Sequence, residues 1–250
     1  MKNYIYNNKR KFQYKRDTQT RVFFFVKKAS EKLNFSTFVT ILQCNQKNTH
    51  TMGLMMAEYY KHPERFKREE RIKKVLYIYG YGGSQMSSSV EKLRSALPED
   101  KFEVICWNYP QRECRAAIRF LEQRIKKHHI DIVVGSSLGA FVAMCLKVKC
   151  RKIIINPCLV PTMELPKLKP LPGKPMPTPQ LIATYAPYEP RVFDNLPEGS
   201  HCFMAEHDEL LSSTYRTQME THMPVTTIPG GHRLSEEALP IIKEVLICNR

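Results

Sequence analysis

Three polar residues, Ser137, Asp208 and His232, have the types and the chain order expected of a nucleophile, an acid and a base. Ser137 is the central residue of Gly135-Ser-Ser-Leu-Gly139, which fits the G-x-S-x-G pattern of a sharp strand-to-helix turn. In such a turn the strained backbone exposes the serine, and the two glycines let neighbouring elements pass close by. The pattern by itself is weak, and the alternative is a connection whose serines only cap the helix.

The acid and the base are expected on loops that follow later strands. Asp208 lies three residues past a predicted strand at 201–205, and His232 lies four residues past a predicted strand at 225–228. Because the carboxyl ends of parallel strands meet at one edge of a sheet, both loops would reach the edge where Ser137 lies. The order serine, acid, histidine therefore predicts a catalytic triad.

Ordinary structural roles remain open for these residues. An Asp after a strand is often a turn former or a helix cap, and Glu206 or Glu209 could be the acid in place of Asp208. A histidine after Gly-Gly could simply end the turn. No histidine pair and no Cys/His cluster has metal-ligand spacing, so no metal site is predicted.

A glycine-rich loop follows the first predicted strand, 75–79. Its sequence, Gly80-Tyr-Gly-Gly83, lacks the signature of a phosphate loop and the third glycine of a dinucleotide fingerprint. In a serine hydrolase, this loop would instead supply one N–H of the oxyanion hole. The backbone N–H groups of Tyr81 and Leu138 are therefore the candidate oxyanion donors.

Predicted strands and helices alternate from residue 75 to residue 247. Residues 132–134 form a continuous apolar run, which is typical of a strand buried on both faces of a parallel sheet. This alternation predicts an α/β fold with right-handed crossovers, a mostly parallel sheet and helices on both faces. The predicted strands are 75–79, 102–106, 132–134, 152–156, 201–205 and 225–228, and the predicted helices include 86–97, 114–127, 213–222 and 235–247.

The segment 157–197 interrupts the alternation. It holds 11 of the 17 prolines, and proline removes amide donors and blocks helix continuation. Its scattered apolar residues favour an irregular insertion at the carboxyl edge of the sheet, either a lid or a pocket wall. A surface linker without a catalytic role is the alternative.

The basic charge is concentrated at the N-terminus. Residues 1–51 hold 11 Lys and Arg against 2 Asp and Glu, a net charge of +9 out of +15. We interpret them as an extension that is disordered or outside the functional protein, with a nucleic-acid-binding arm as the less favoured alternative. Residues 52–73 are a charged lead-in, and 74–250 are the predicted catalytic domain.

The eight cysteines are scattered without a C-x-x-C motif, which favours free thiols in a reducing compartment. No apolar run approaches the roughly 20 residues of a membrane span. The composition therefore predicts a cytoplasmic protein without a membrane partner, and nothing in it indicates an oligomeric state.

Four motifs together resemble the YqiA-type small bacterial esterases of the α/β-hydrolase superfamily. They are the strand-to-helix turn Gly135-Ser-Ser-Leu-Gly139, Ile155-Asn-Pro157 after the next strand, His207-Asp-Glu-Leu210 and Gly-Gly-His232. The resemblance covers roughly residues 74–248. It departs at Tyr79-Gly-Tyr81, where the family generally has His-Gly, and this change puts the substrate preference in doubt.

The resemblance implies hydrolysis of a small-molecule carboxylic ester without a cofactor, with Ser137, Asp208 and His232 at the matching positions. A thioester would use the same groups. The alternative function is a binding or scaffold protein that uses this fold without catalysis, because a fold alone does not establish chemistry.

Overall fold

The computed structural model describes residues 71–170, 173, 175–211 and 214–247, so the N-terminal extension and nearly all of the lead-in lie outside it. The strands are β1 (Lys73–Ile78), β2 (Phe102–Cys106), β3 (Ile132–Ser136), β4 (Arg151–Ile155), β5 (His201–Ala205) and β6 (Val225–Ile228). The helices are α1 (Ser88–Ala96), α2 (Cys114–His128), α3 (Leu138–Cys145), α4 (Pro161–Glu164), α5 (Pro179–Ala183), α6 (Tyr215–Glu220) and α7 (Leu239–Ile247), with 3₁₀ turns at Leu165–Lys167 and Ala186–Arg191.

All six strands pair in parallel, in the order β2-β1-β3-β4-β5-β6. The connection from β1 to β2 runs in one direction across the sheet, and the later connections run in the other. Because such crossovers are right-handed, α1 lies on one face and α2 and α3 lie on the opposite face. Helix α7 packs with α1, and α2 packs with α3. The predicted α/β class is confirmed.

The strand order reverses between β1 and β3. In open α/β sheets, ligands bind at the carboxyl ends of the strands beside such a reversal. Every residue of β3 and of α3 is buried, and α3 is apolar all round, as expected of a helix enclosed by the core. The turn between β3 and α3 is therefore held by two elements that have little freedom to move.

A buried lysine fastens the far end of α3. Lys152, on β4, has no exposed surface, and its Nζ donates to the carbonyl oxygens of Met144, Leu146 and Asn195 at 3.1, 2.7 and 2.6 Å. Burial lowers the pKa of Lys152 to about 8, so its ammonium is still mainly protonated at neutral pH. The cation stabilises the C-terminus of α3 and ties it to the end of the proline-rich insertion.

The main differences from the predicted elements have local causes. The described residues of the insertion form two short helices and two 3₁₀ turns, each with a proline in its first turn, where the missing N–H costs no hydrogen bond. Strand β4 ends at Ile155 because Asn156 has a φ of 44°. Helix α7 begins at Leu239, since the Ser235 hydroxyl accepts the Ala238 N–H in a separate turn.

The six cysteines in the described ranges are free thiols. None of the helices in those ranges combines the length and the apolar character needed to cross a bilayer.

Candidate active site

Ser137 lies in a strained turn between β3 and α3. Its φ of 56° and ψ of −124° fall in a region that residues with a side chain rarely adopt. The turn is held on both sides, because the Ser137 N–H donates to the Ile155 carbonyl at 3.0 Å and its own carbonyl accepts from Ala140 at 3.0 Å. The surrounding sheet therefore enforces the backbone conformation of the residue that carries the hydroxyl.

The glycines on either side of Ser137 mark two close approaches. A Cβ added at Gly135 would lie 2.7 Å from the Cα of Ala140, so β3 touches the first turn of α3. A Cβ added at Gly139 would collide with the carbonyl oxygens of Ile78 and Tyr79, at the end of β1. The G-x-S-x-G spacing is thus set by backbone contacts that no larger residue permits.

The loop after β1 passes directly against Ser137. A Cβ added at Gly80 would lie 2.9 Å from the Ser137 Cβ, so only glycine fits at this position without a shift. The next residue is Tyr81, whose backbone N–H donates to no acceptor among the described residues. The N–H of Leu138, the first residue of α3, has no partner within the helix because a helix leaves its first four amides unpaired. Both candidate oxyanion donors are therefore close to Ser137 in the chain or in the fold.

Gln111 fixes the shape of this loop. Its side-chain Nε2 donates to the Gly80 carbonyl at 2.8 Å, and its Oε1 accepts the Gly82 N–H at 3.1 Å. The Gly83 N–H closes the turn onto the Gly80 carbonyl at 3.1 Å. Gln111 thus bonds the residues on both sides of Tyr81 and leaves the Tyr81 amide available to a ligand.

His232 and Asp208 form a hydrogen-bonded pair at the ends of two loops. The His232 Nδ1 lies 2.9 Å from Asp208 Oδ2 and 3.1 Å from Oδ1, and both side chains are about nine-tenths buried. The amides of Leu210 and Leu211 donate to Asp208 Oδ1, each at 2.9 Å. The carboxylate is therefore oriented by the backbone of its own loop.

These contacts explain the acidity of Asp208. Burial would raise the pKa of its carboxyl, but the hydrogen bond and charge of His232 and the two amide donors outweigh burial and lower the pKa. Asp208 is consequently ionised at neutral pH, as a partner for an imidazolium must be.

The other two candidate acids do not contact the ring. Glu209 Oε2 accepts the backbone N–H of His232 at 2.9 Å, which restrains the chain that carries the imidazole. The Glu206 side chain is exposed and forms no hydrogen bond with the ring. The geometry thus favours Asp208 as the acid and gives Glu209 a supporting contact.

Ser137 and His232 line the same cavity, of about 390 Å³. No hydrogen bond joins the Ser137 hydroxyl to the imidazole in this structure. Hydrogen bonds of this kind are often long in the absence of substrate and tighten when it binds. The structure thus brings all three candidate residues to one edge of the sheet, without a hydrogen bond between the serine and the ring.

The insertion supplies much of the apolar wall of the cavity, through Leu165, Leu168 and Met176, as the sequence predicts for a pocket wall. Leu210 and Leu211 from the Asp208 loop add to this wall. The cavity therefore suits a ligand with an apolar portion next to the polar groups at Ser137. Within the described ranges, no cluster of three or more His, Cys, Asp or Glu side chains could hold a metal ion.

Residues 74–195 match the family described as an uncharacterised protein family, UPF0227. The match confirms the predicted resemblance to YqiA-type proteins. It includes Ser137 and the loop after β1 and ends before Asp208 and His232. No curated protein matches the chain.

Solved structures of other proteins share the fold. Est1E from Butyrivibrio proteoclasticus has a TM-score of 0.57 at 15% identity, over 71% of this chain and 88% of Est1E. The thioesterase domain from the curacin biosynthetic pathway has a TM-score of 0.51 at 13% identity, over 71% of this chain and 92% of that domain. The structural similarity establishes the predicted α/β-hydrolase fold. At such low sequence identities, the chemistry must be argued from the site.

The UPF0227 segment contains two residues near the site whose contacts the sequence does not predict. Gln111 shapes the loop after β1, and nothing in its sequence surroundings distinguishes it from a surface glutamine. Asn156 is bonded to the His232 loop, and its only signal is the Asn-Pro motif that contributes to the family resemblance.

Proposed function

We propose that this protein is a serine hydrolase that cleaves a small-molecule carboxylic ester through an acyl-enzyme. The observation that carries the proposal is that Ser137, in its strained turn, lines the same cavity as the imidazole of His232, which is hydrogen-bonded to Asp208. A serine hydroxyl is a weak nucleophile unless a base removes its proton, and in this proposal His232 is that base.

In the first step, the Ser137 Oγ attacks the ester carbonyl carbon and its proton moves to His232 Nε2. Asp208 keeps the ring in the tautomer that has its proton on Nδ1 and stabilises the imidazolium. The carbonyl oxygen becomes an oxyanion that accepts hydrogen bonds from the amides of Tyr81 and Leu138. The amide of Leu138 adds the favourable dipole of the α3 N-terminus.

The tetrahedral intermediate then collapses. The bond to the leaving group breaks, and the imidazolium of His232 gives its proton to the departing alcohol or thiol. Water attacks the acyl group on Ser137 with the same ring as base, and the carboxylic acid is released. No cofactor takes part in either half of the reaction.

The apolar wall of the cavity favours an ester with an apolar portion on one side of the carbonyl. Est1E, which has the same fold, has been solved with ferulic acid bound, and another protein of this fold is a thioesterase domain. Oxygen esters and thioesters both suit the proposed groups, so a panel of each with short and long acyl chains would define the preference.

The test is Ser137→Ala, with the exposed Ser95→Ala as the control variant. Removing a serine nucleophile costs about 10⁶-fold in kcat, while the fold should be retained. A fluorophosphonate probe should label the unsubstituted protein and Ser95→Ala at Ser137, and should leave Ser137→Ala unlabelled. A well-folded protein that neither reacts with the probe nor cleaves any ester would instead be a binding or scaffold protein.

A further inference from the structure

Asn156 has an unusual backbone and a fully enclosed side chain. It follows the last residue of β4, has a φ of 44°, and is 1% exposed. Its N–H donates to the Phe203 carbonyl at 2.9 Å, which extends the pairing of β4 with β5 by one residue. A buried polar side chain at such a position needs partners, because leaving a donor or an acceptor unpaired costs about 1–3 kcal/mol.

The side chain links three parts of the site. Oδ1 accepts the N–H of Ala205, the last residue of β5, at 2.8 Å. Nδ2 donates to the carbonyl oxygens of His232 and Gly231 at 3.0 and 3.3 Å. Asn156 therefore joins β4 to the strand that leads into Asp208 and to the loop that carries the imidazole.

Asparagine meets all the demands of this position. A positive φ is tolerated by glycine and, among residues with a side chain, chiefly by asparagine and aspartate. Glycine has no side chain to make the bonds, and ionised aspartate accepts hydrogen bonds without donating any. A carboxylate at this point would face two carbonyl oxygens and would repel them.

The backbone of the His232 loop is restrained by a small number of side chains. Gly230 has a φ of 103°, so the chain turns sharply just before the histidine. Glu209 accepts the His232 N–H, and Asn156 donates to the His232 carbonyl. The two bonds fix the peptide groups on either side of His232, and with them the direction of its side chain.

We propose that Asn156 is a positioning residue that sets the imidazole of His232 relative to Ser137 and Asp208. The inference depends on the proposed serine-hydrolase function. It assigns Asn156 a role in the rate of the chemical step, because small displacements of a reacting group, on the order of 1 Å, cost about 10²-fold in rate. Substrate binding should depend on Asn156 much less, since it is enclosed behind the His232 backbone.

Two variants of Asn156 test this role. Asn156→Asp keeps the acceptor for the Ala205 N–H and removes both donated bonds, while Asn156→Gly accepts the positive φ and removes the whole side chain. The control is Ser200→Ala. Ser200 is also buried, bonds a loop carbonyl at Pro197, and lies at the opposite end of the sheet.

Both Asn156 variants should lower kcat at least tenfold on a p-nitrophenyl ester and change KM less than threefold. Ser200→Ala should lose comparable stability and keep kcat within twofold. The low-field proton resonance of the His232 Nδ1–H should broaden or shift in the Asn156 variants alone. Glycine removes the backbone strain, so it provides a folded sample if the aspartate variant is too unstable.

Equal kcat in the unsubstituted protein and both Asn156 variants, with an unchanged Nδ1–H resonance, would overturn the inference and leave the hydrolase proposal intact. A matching loss of kcat in Ser200→Ala would also overturn it, because the effect would then follow stability. Failure of the proposed function is a different result, since the unsubstituted protein would itself neither turn over esters nor react at Ser137.

Discussion

Gly139→Ala sets two physical effects against each other. Gly139 is the second residue of α3, and alanine inside a helix is about 1 kcal/mol more favourable than glycine. The new Cβ, however, would lie 2.5 Å from the Tyr79 carbonyl oxygen and closer still to that of Ile78. Both are backbone atoms at the end of a central strand, so no side chain can rotate away to make room.

The steric cost should exceed the gain in helix propensity. Overpacking a rigid core site costs about 1–3 kcal/mol and sometimes more, and here the clash is with backbone on a strand paired on both sides. We expect a net loss of about 2 kcal/mol or more in the free energy of unfolding. The displaced strand end also carries the loop of Gly80 and Tyr81, so ester turnover should fall about 10²-fold.

Urea unfolding and ester turnover measure both effects, with Gly173→Ala as the control. Gly173 has a φ of 70°, and a Cβ added there would meet no atom within 4 Å. Alanine at this position therefore costs only the backbone strain, about 1 kcal/mol, and activity should be unchanged. An unfolding midpoint of Gly139→Ala at or above that of the unsubstituted protein would refute the close contact of α3 with β1.

Three further predictions concern the side chains around the site. Asp208→Asn should lower kcat about 10⁴-fold in ester assays. Because folding lowers the Asp208 pKa, its stabilisation is present above about pH 4 and is lost as the pH falls through the folded-state pKa. The urea midpoints of variant and parent should therefore converge as the pH is lowered below about 4. Lys152→Met should destabilise the fold by about 2–4 kcal/mol, measured by urea unfolding, since three carbonyl oxygens, two of them in buried residues, lose their donor. Glu209→Ala should lower kcat at least tenfold in ester assays. Glu209→Gln, which keeps an acceptor for the His232 N–H, should keep kcat within threefold of the unsubstituted protein. Equal kcat in Glu209→Ala and the unsubstituted protein would show that this contact does not support catalysis.

The alternation of apolar runs and helical periods is enough to predict the α/β class and the approximate bounds of most elements. These patterns depend on whether a residue is buried and on which side of its own element it lies. The signal for the serine turn is equally local, because Gly135, Ser137 and Gly139 belong to one strand-to-helix turn. The positions of Asp208 and His232 follow from the rule that parallel strands end at the same edge.

The sequence does not decide which of Asp208, Glu206 and Glu209 contacts the His232 ring. All three side chains lie within four residues of each other, and their roles differ only in which way the loop turns them. The strand order, with its reversal between β1 and β3, is also decided by tertiary packing, since the alternation of elements is compatible with several orders.

The sequence by itself determined the kind of fold, the strained serine turn and the edge of the sheet where the polar residues gather. Only the tertiary structure decided which carboxylate holds the ring and which side chains hold the loops. Gln111 bonds a residue 31 positions away, and Asn156 bonds a carbonyl 76 positions away. Such bonds depend on strand register and loop path, which arise when distant segments pack. The bonded residues therefore produce no periodic pattern in the sequence.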